Sequence, residues 1–115
     1  HMWFHKMLNE ICRRDKGKHT RLKVLITMIA LGPEFHAGEE IKQKFSQMFP
    51  EDHFDFLYLR SLVYSYKLVI SNAPVGKSAF SRNVTATSFT IRPEIFENLR
   101  DQLRRLDIIT KDSSF

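Results

Sequence analysis

The stretch "KLVISNAPVGKSAFSRNVTATSFTI", Lys67 to Ile91, decides how the rest of the chain is read. Its first half invites comparison with a phosphate-binding loop: an apolar run, Leu68-Val69-Ile70, is followed by Gly76-Lys77-Ser78. That motif puts Ser71 where its first glycine belongs, and it must open a helix. A β-carbon at Ser71 would crowd a backbone wrapped on phosphate. The second half decides the matter. "NVTATSFTI" alternates Val84, Ala86, Ser88 and Thr90 against Thr85, Thr87, Phe89 and Ile91, and it is rich in β-branched residues. That is the pattern of a strand, not of the helix whose N-terminus would hold a phosphate. Two strands near 67–72 and 84–91 therefore form a hairpin, and Gly76-Lys77-Ser78 lies in the loop between them.

Outward from the hairpin, the apolar period becomes helical. Trp3, Phe4, Met7, Leu8 and Ile11 make a stripe at i, i+3, i+4 spacing, which predicts a helix over 3–14 that Gly17 stops. Thr20 is placed to cap a second helix over 20–31, where Leu22, Leu25, Ile26 and Ile29 share a face and Gly32-Pro33 ends it. A turn at His36-Ala37-Gly38 precedes a third helix over 38–48, with Ile41, Phe45 and Met48 in register and Pro50 as its stop. A fourth helix over 52–66 opens on acidic residues, which suit a helix N-terminus, and turns Leu59, Leu62, Val63 and Tyr66 inward. Pro93 starts the last helix, 94–106, with Ile95, Phe96, Leu99, Leu103 and Leu106 in register. The expected core is Leu22, Leu25, Ile26, Ile29, Ile41, Phe45, Leu59, Leu62, Val63, Leu99 and Leu103.

Three helices followed by a hairpin with a polar, basic tip resemble the winged helix-turn-helix superfamily. The resemblance covers residues 19–106 and rests on element order and pattern, with no diagnostic motif. It implies an α+β fold: a three-helix core with a two-stranded β-hairpin wing, plus N- and C-terminal helices. Residues 1–18 are then an N-terminal helix and basic linker, and 107–115 a C-terminal tail; His1-Met2 reads as an expression scar. The resemblance further implies that the helix from Asp52 to Lys67 enters the DNA major groove. The wing, Ala73 to Asn83, would reach the backbone or minor groove. The outward face of that helix carries Tyr58, Arg60, Ser61, Tyr64, Ser65 and Lys67; Arg reads guanine bidentately, and Ser and Tyr hydroxyls bond bases or phosphates. Lys77, Ser78 and Arg82 in the wing suit phosphate contact. Arg13, Arg14, Lys16 and Lys18 offer a second phosphate-binding strip, or a solvated linker.

Charge distribution supports that reading more than its total. The 115 residues carry a net charge of +5, from 18 basic and 13 acidic residues, with a pI near 9.6. Residues 1–23 hold seven Lys/Arg against two acids, and 67–93 hold four with no acid at all. The segment between them, 24–66, is acidic, with three basic residues against six acids. Two basic segments flanking an acidic middle fit a nucleic-acid binder. Glu51, Asp52 and Asp55 argue the other way. They crowd the turn that lies closest to bases in helix-turn-helix proteins, where carboxylates repel phosphate. They motivate the alternative, a winged helix that binds another protein within a larger complex.

Other functions find little support. The five His show no metal spacing with Cys12 or with one another, and no HExxH pair occurs. Cys12 stands beside Arg13 and Arg14, which would lower a thiol pKa, but a lone helical Cys is ordinarily a packing residue. The carboxylates lack a recognisable acid–base partner. The expectation is a non-enzymatic, cofactor-free DNA-binding domain that regulates transcription. The one Cys suits a reducing compartment, cytoplasmic at the nucleoid or nuclear. The apolar stripe of the first helix is more than should be left in water. It can pack against Phe96, Leu99 and Leu103 of its own chain or against the same elements of a second copy, and the expectation is a homodimer through the terminal helices.

Overall fold

The computed structural model describes residues 3–73, 79–80, 84 and 86–106. Among the described residues five α-helices and a small antiparallel sheet follow one another as α1 (Trp3–Asp15), α2 (Thr20–Leu31), β1 (His36–Ala37), α3 (Gly38–Met48), α4 (Phe56–Tyr64), β2 (Val69–Ser71), β3 (Ser88–Ile91) and α5 (Phe96–Arg104). A 3-10 turn, Pro93–Ile95, leads into α5. The fold class is α+β, as expected.

α2 is the hub. Leu22, Val24, Leu25, Ile26, Thr27, Met28 and Ile29 are all buried, so almost no face of this helix meets water, and every other helix packs against it. A helix apolar nearly all round must lie inside. Thr27 tolerates this position because its hydroxyl donates to the Lys23 carbonyl one turn back, at 2.8 Å. The first helical stripe is also consumed within the chain: Phe4, Leu8 and Ile11 are buried, while Trp3 stays exposed and Met7 half-buried.

The turn expected at 36–38 is in fact a strand followed at once by a helix. His36 pairs with Phe89 and Ala37 with Ser88, while β2 pairs with the other edge of β3, Val69 opposite Ile91 and Ser71 opposite Phe89. The sheet order is β1-β3-β2. The hairpin strands are shorter than the alternation suggests. Val84, Ala86 and Thr87 lie in turn and bend conformations, and ladder pairing begins at Ser88. Lys67 cannot extend β2, because its backbone is left-handed, with φ 57°.

The fourth helix begins at Phe56 rather than near 52. Asp55 takes the N-cap position in an extended conformation and accepts from the Leu57 N–H at 2.9 Å, so the chain before it is excluded from the helix. Phe54 and Phe56, flanking that cap, meet edge to face at 4.9 Å, and Phe54 meets Phe45 of α3 at 5.3 Å. This aromatic wedge fixes the angle at which α4 leaves the core.

Candidate nucleic-acid interface

α1 and α2 are joined by a reversal in which Lys16, Gly17 and His19 all have positive φ, at 51°, 87° and 57°. The cap expected from Thr20 is not made. Asp15, the last residue of α1, replaces it: its carboxylate accepts from the Arg21 backbone N–H at 2.9 Å and from the Arg21 guanidinium at 2.7 Å. The Asp15 side chain is wholly buried and that of Arg21 is 12% exposed. Arg21 then reaches α4, where its Nε donates to the Ser61 hydroxyl at 2.7 Å and its guanidinium lies over the Tyr58 ring, 5.6 Å from the centroid.

The helical pattern places Ser61 and Tyr58 on the outward face, and the structure corrects both. Ser61 is buried, accepting from Arg21 and donating to the Tyr58 carbonyl at 2.8 Å, and Tyr58 is half-buried beneath Arg21. Both lie on the side of α4 that faces α2, so they orient Arg21 rather than project into solvent. The residues that do project are Arg60, Tyr64, Ser65 and Lys67, all exposed. Arg60 stands over the Tyr64 ring at 5.9 Å, and Tyr64 meets Phe80 edge-on at 5.8 Å. These contacts hold the tyrosine upright on the surface.

A hollow of about 270 Å³ brings α1, α2 and α4 together. It is lined by Arg14, Arg21, Arg60, Ser61, Tyr64 and Ser65, with exposed Leu57 at its rim. Arg14 and Arg60, both exposed, supply its free charge, since Arg21 is already paired with Asp15. Arg13, Lys16 and Lys18 are exposed nearby in sequence, but none lines the hollow; Arg13 is ion-paired with Glu10. Lys77, Ser78 and Arg82 fall outside the described residues.

In the acidic cluster one carboxylate is ion-paired and a second is tied to backbone. Lys23 Nζ lies 3.1 Å from both Asp52 oxygens, and Asp55 is engaged as the cap of α4. Only Glu51 of the three lacks such a contact among the described residues. Cys12 packs against the core, as expected of a lone helical Cys. Burial, and then the charge of Asp15, push its thiol pKa up, so Arg13 and Arg14 do not activate it. Among the described residues no group of His, Cys, Asp and Glu could hold a metal ion, and no helix is long and apolar enough to cross a membrane.

The Asp15–Arg21–Ser61 link leaves no signature in the sequence. Ser61 is far from the other two in the chain, and the link depends on left-handed backbone at Lys16 and His19, which no motif announces. No family model, curated protein or solved structure matches the chain.

Proposed function

We propose that the chain is a winged-helix domain that binds duplex DNA without catalysing a reaction and serves in transcription regulation. In this reading α2, α3 and α4 are the helix-turn-helix core, with α4 in the groove-facing position, and β2–β3 carries the wing. The observation that carries it is the hollow lined jointly by Arg14 of the first basic segment, Arg60 and Tyr64 of α4, and Ser65 just after it. A shared face of this kind is what a phosphate backbone requires. Lys23 offsets the charge of Asp52, and Asp55 is held at the cap of α4, so the repulsion that the acidic cluster would exert on phosphate is reduced. Arg60 and Tyr64 are the groove-facing pair. Ser65, Lys67 and Arg14 contact phosphate, joined by Lys77, Ser78 and Arg82 of the wing.

Fluorescence anisotropy with a random-sequence duplex at two salt concentrations tests this. Arg14→Glu with Arg60→Glu should weaken binding and lower the slope of log K against log salt by about 0.9 for each phosphate no longer neutralised. Affinity and slope unchanged in the double variant would refute the assignment. The protein-binding alternative draws on exposed Leu57, which adjoins a small hollow lined by Phe56, Phe80 and Val84. It predicts no duplex affinity near physiological salt.

A further inference from the structure

We infer that a second cavity, between the start of α1 and the chain leaving α4, binds a planar aromatic monoanion such as an aromatic carboxylate. The cavity measures about 550 Å³, within the range of small-molecule sites. Three separate parts of the chain wall it: Trp3 and Met7 from α1, Tyr66 and Lys67 after α4, and Arg92 after β3. Trp3 leaves 39% of its surface in water, an indole face with half-buried Met7 one turn away. An aromatic ring fits both, stacking on the indole and meeting the thioether at its edge. Tyr66 is buried, and its hydroxyl makes no hydrogen bond among the described residues.

The polar side of the cavity selects the charge. Arg92 Nε donates to the Lys67 carbonyl, which sets the two cationic residues side by side. The Lys67 side chain is exposed and has no ion-pair partner among the described residues. Glu94 also lines the cavity, so two cations stand against one carboxylate. The excess of one positive charge matches a monoanion, and the apolar walls distinguish the site from the arginine-lined hollow on α4. Lys67, given a phosphate contact in the proposed function, borders this cavity as well, so the inference is tested on the protein without DNA and stands or falls separately from that reading.

Calorimetric titration of the full chain with trans-cinnamate and with its neutral counterpart, trans-cinnamamide, separates ring recognition from charge recognition. Saturable one-to-one binding of cinnamate is expected, with cinnamamide weaker by about five- to tenfold. Lys67→Asn, which suits the left-handed backbone there, should erase most of that difference while leaving cinnamamide unchanged. Trp3→Ala should weaken both ligands. Trp3 is the single tryptophan of the chain, so a change in its emission on titration reports on this cavity. The inference fails if cinnamate does not bind, if acid and amide bind equally, or if neither substitution matters. It also fails if the chain sediments as a dimer that Trp3→Ala dissolves, because a second copy then fills the cavity. The acid–amide comparison uses the unaltered chain, so it decides the matter even if a variant does not fold.

Discussion

Asp15 holds a carboxylate entirely shut away from water, and everything around it follows from that burial. A lone buried carboxylate is costly, so the side chain survives there only because Arg21 meets it with two hydrogen bonds. Asp15→Ala strands the largely buried guanidinium and should cost about 3–5 kcal/mol in urea unfolding; a loss below about 1 kcal/mol would show that water reaches Arg21 readily. Cys12 feels the same carboxylate. Its folded-state pKa is raised, so the unfolded thiol ionises first as pH increases. The stabilisation is therefore complete below the ordinary thiol pKa and is lost as pH rises through the folded value. Iodoacetamide should alkylate the folded thiol more slowly than the unfolded one near pH ~8.5. Equal rates would contradict the burial.

At the scale of elements, Gly38 decides where α3 can begin. A Cβ there would stand 2.4 Å from the Val84 carbonyl oxygen, and the Gly38 N–H donates to the Thr87 carbonyl at 2.9 Å. Both contacts are to backbone, which cannot swing aside. Gly38→Ala should lower stability by about 1–3 kcal/mol, read as a lower urea midpoint with an unchanged slope; an unaltered midpoint would mean the Val84 backbone yields freely. The sequence announces α2 and α3 to the residue because an apolar period and a hard stop, Gly32-Pro33 and Pro50, coincide there. It overruns the start of α4 because the acidic residues from 51 onward read as a first helical turn, whereas Asp55 is the cap. β1 stays hidden: two residues carry no period, and its partners Phe89 and Ser88 are about fifty residues away in the chain.

For the molecule as a whole, α1 is part of the domain rather than an appendage. Phe4, Leu8 and Ile11 enter the common core, and burying each Leu-sized side chain is worth about 1.5–3 kcal/mol. Removing residues 1–14 should therefore lower the urea midpoint sharply or abolish cooperative unfolding; a truncated chain as stable as the whole would overturn this. It also leaves only Trp3 and part of Met7 from the stripe that suggests a homodimer. Sedimentation at micromolar concentration should show a monomer, and a dimer would restore pairing through the terminal helices. The basic composition of 1–23 points toward the α4 hollow, but not to which cation is spent. Only the fold shows that Arg21 is committed to Asp15 and Ser61 while Arg14 remains open.

The order of the sheet bears on how the protein behaves when crowded. Among the described strands β3 is the longest and most thoroughly buried; β2 pairs with Phe89, Thr90 and Ile91 on one edge and β1 with Ser88 and Phe89 on the other, and these outer strands are three and two residues long. Unpaired strand edges are templates on which chains add to one another and grow into fibrils. Here one outer strand turns directly into α3 at Gly38 and the other ends at Ser71, too short to seed such growth. The two residues of β1 thus act as a guard against aggregation at Ser88 and Phe89, on the edge of β3 that β2 leaves open.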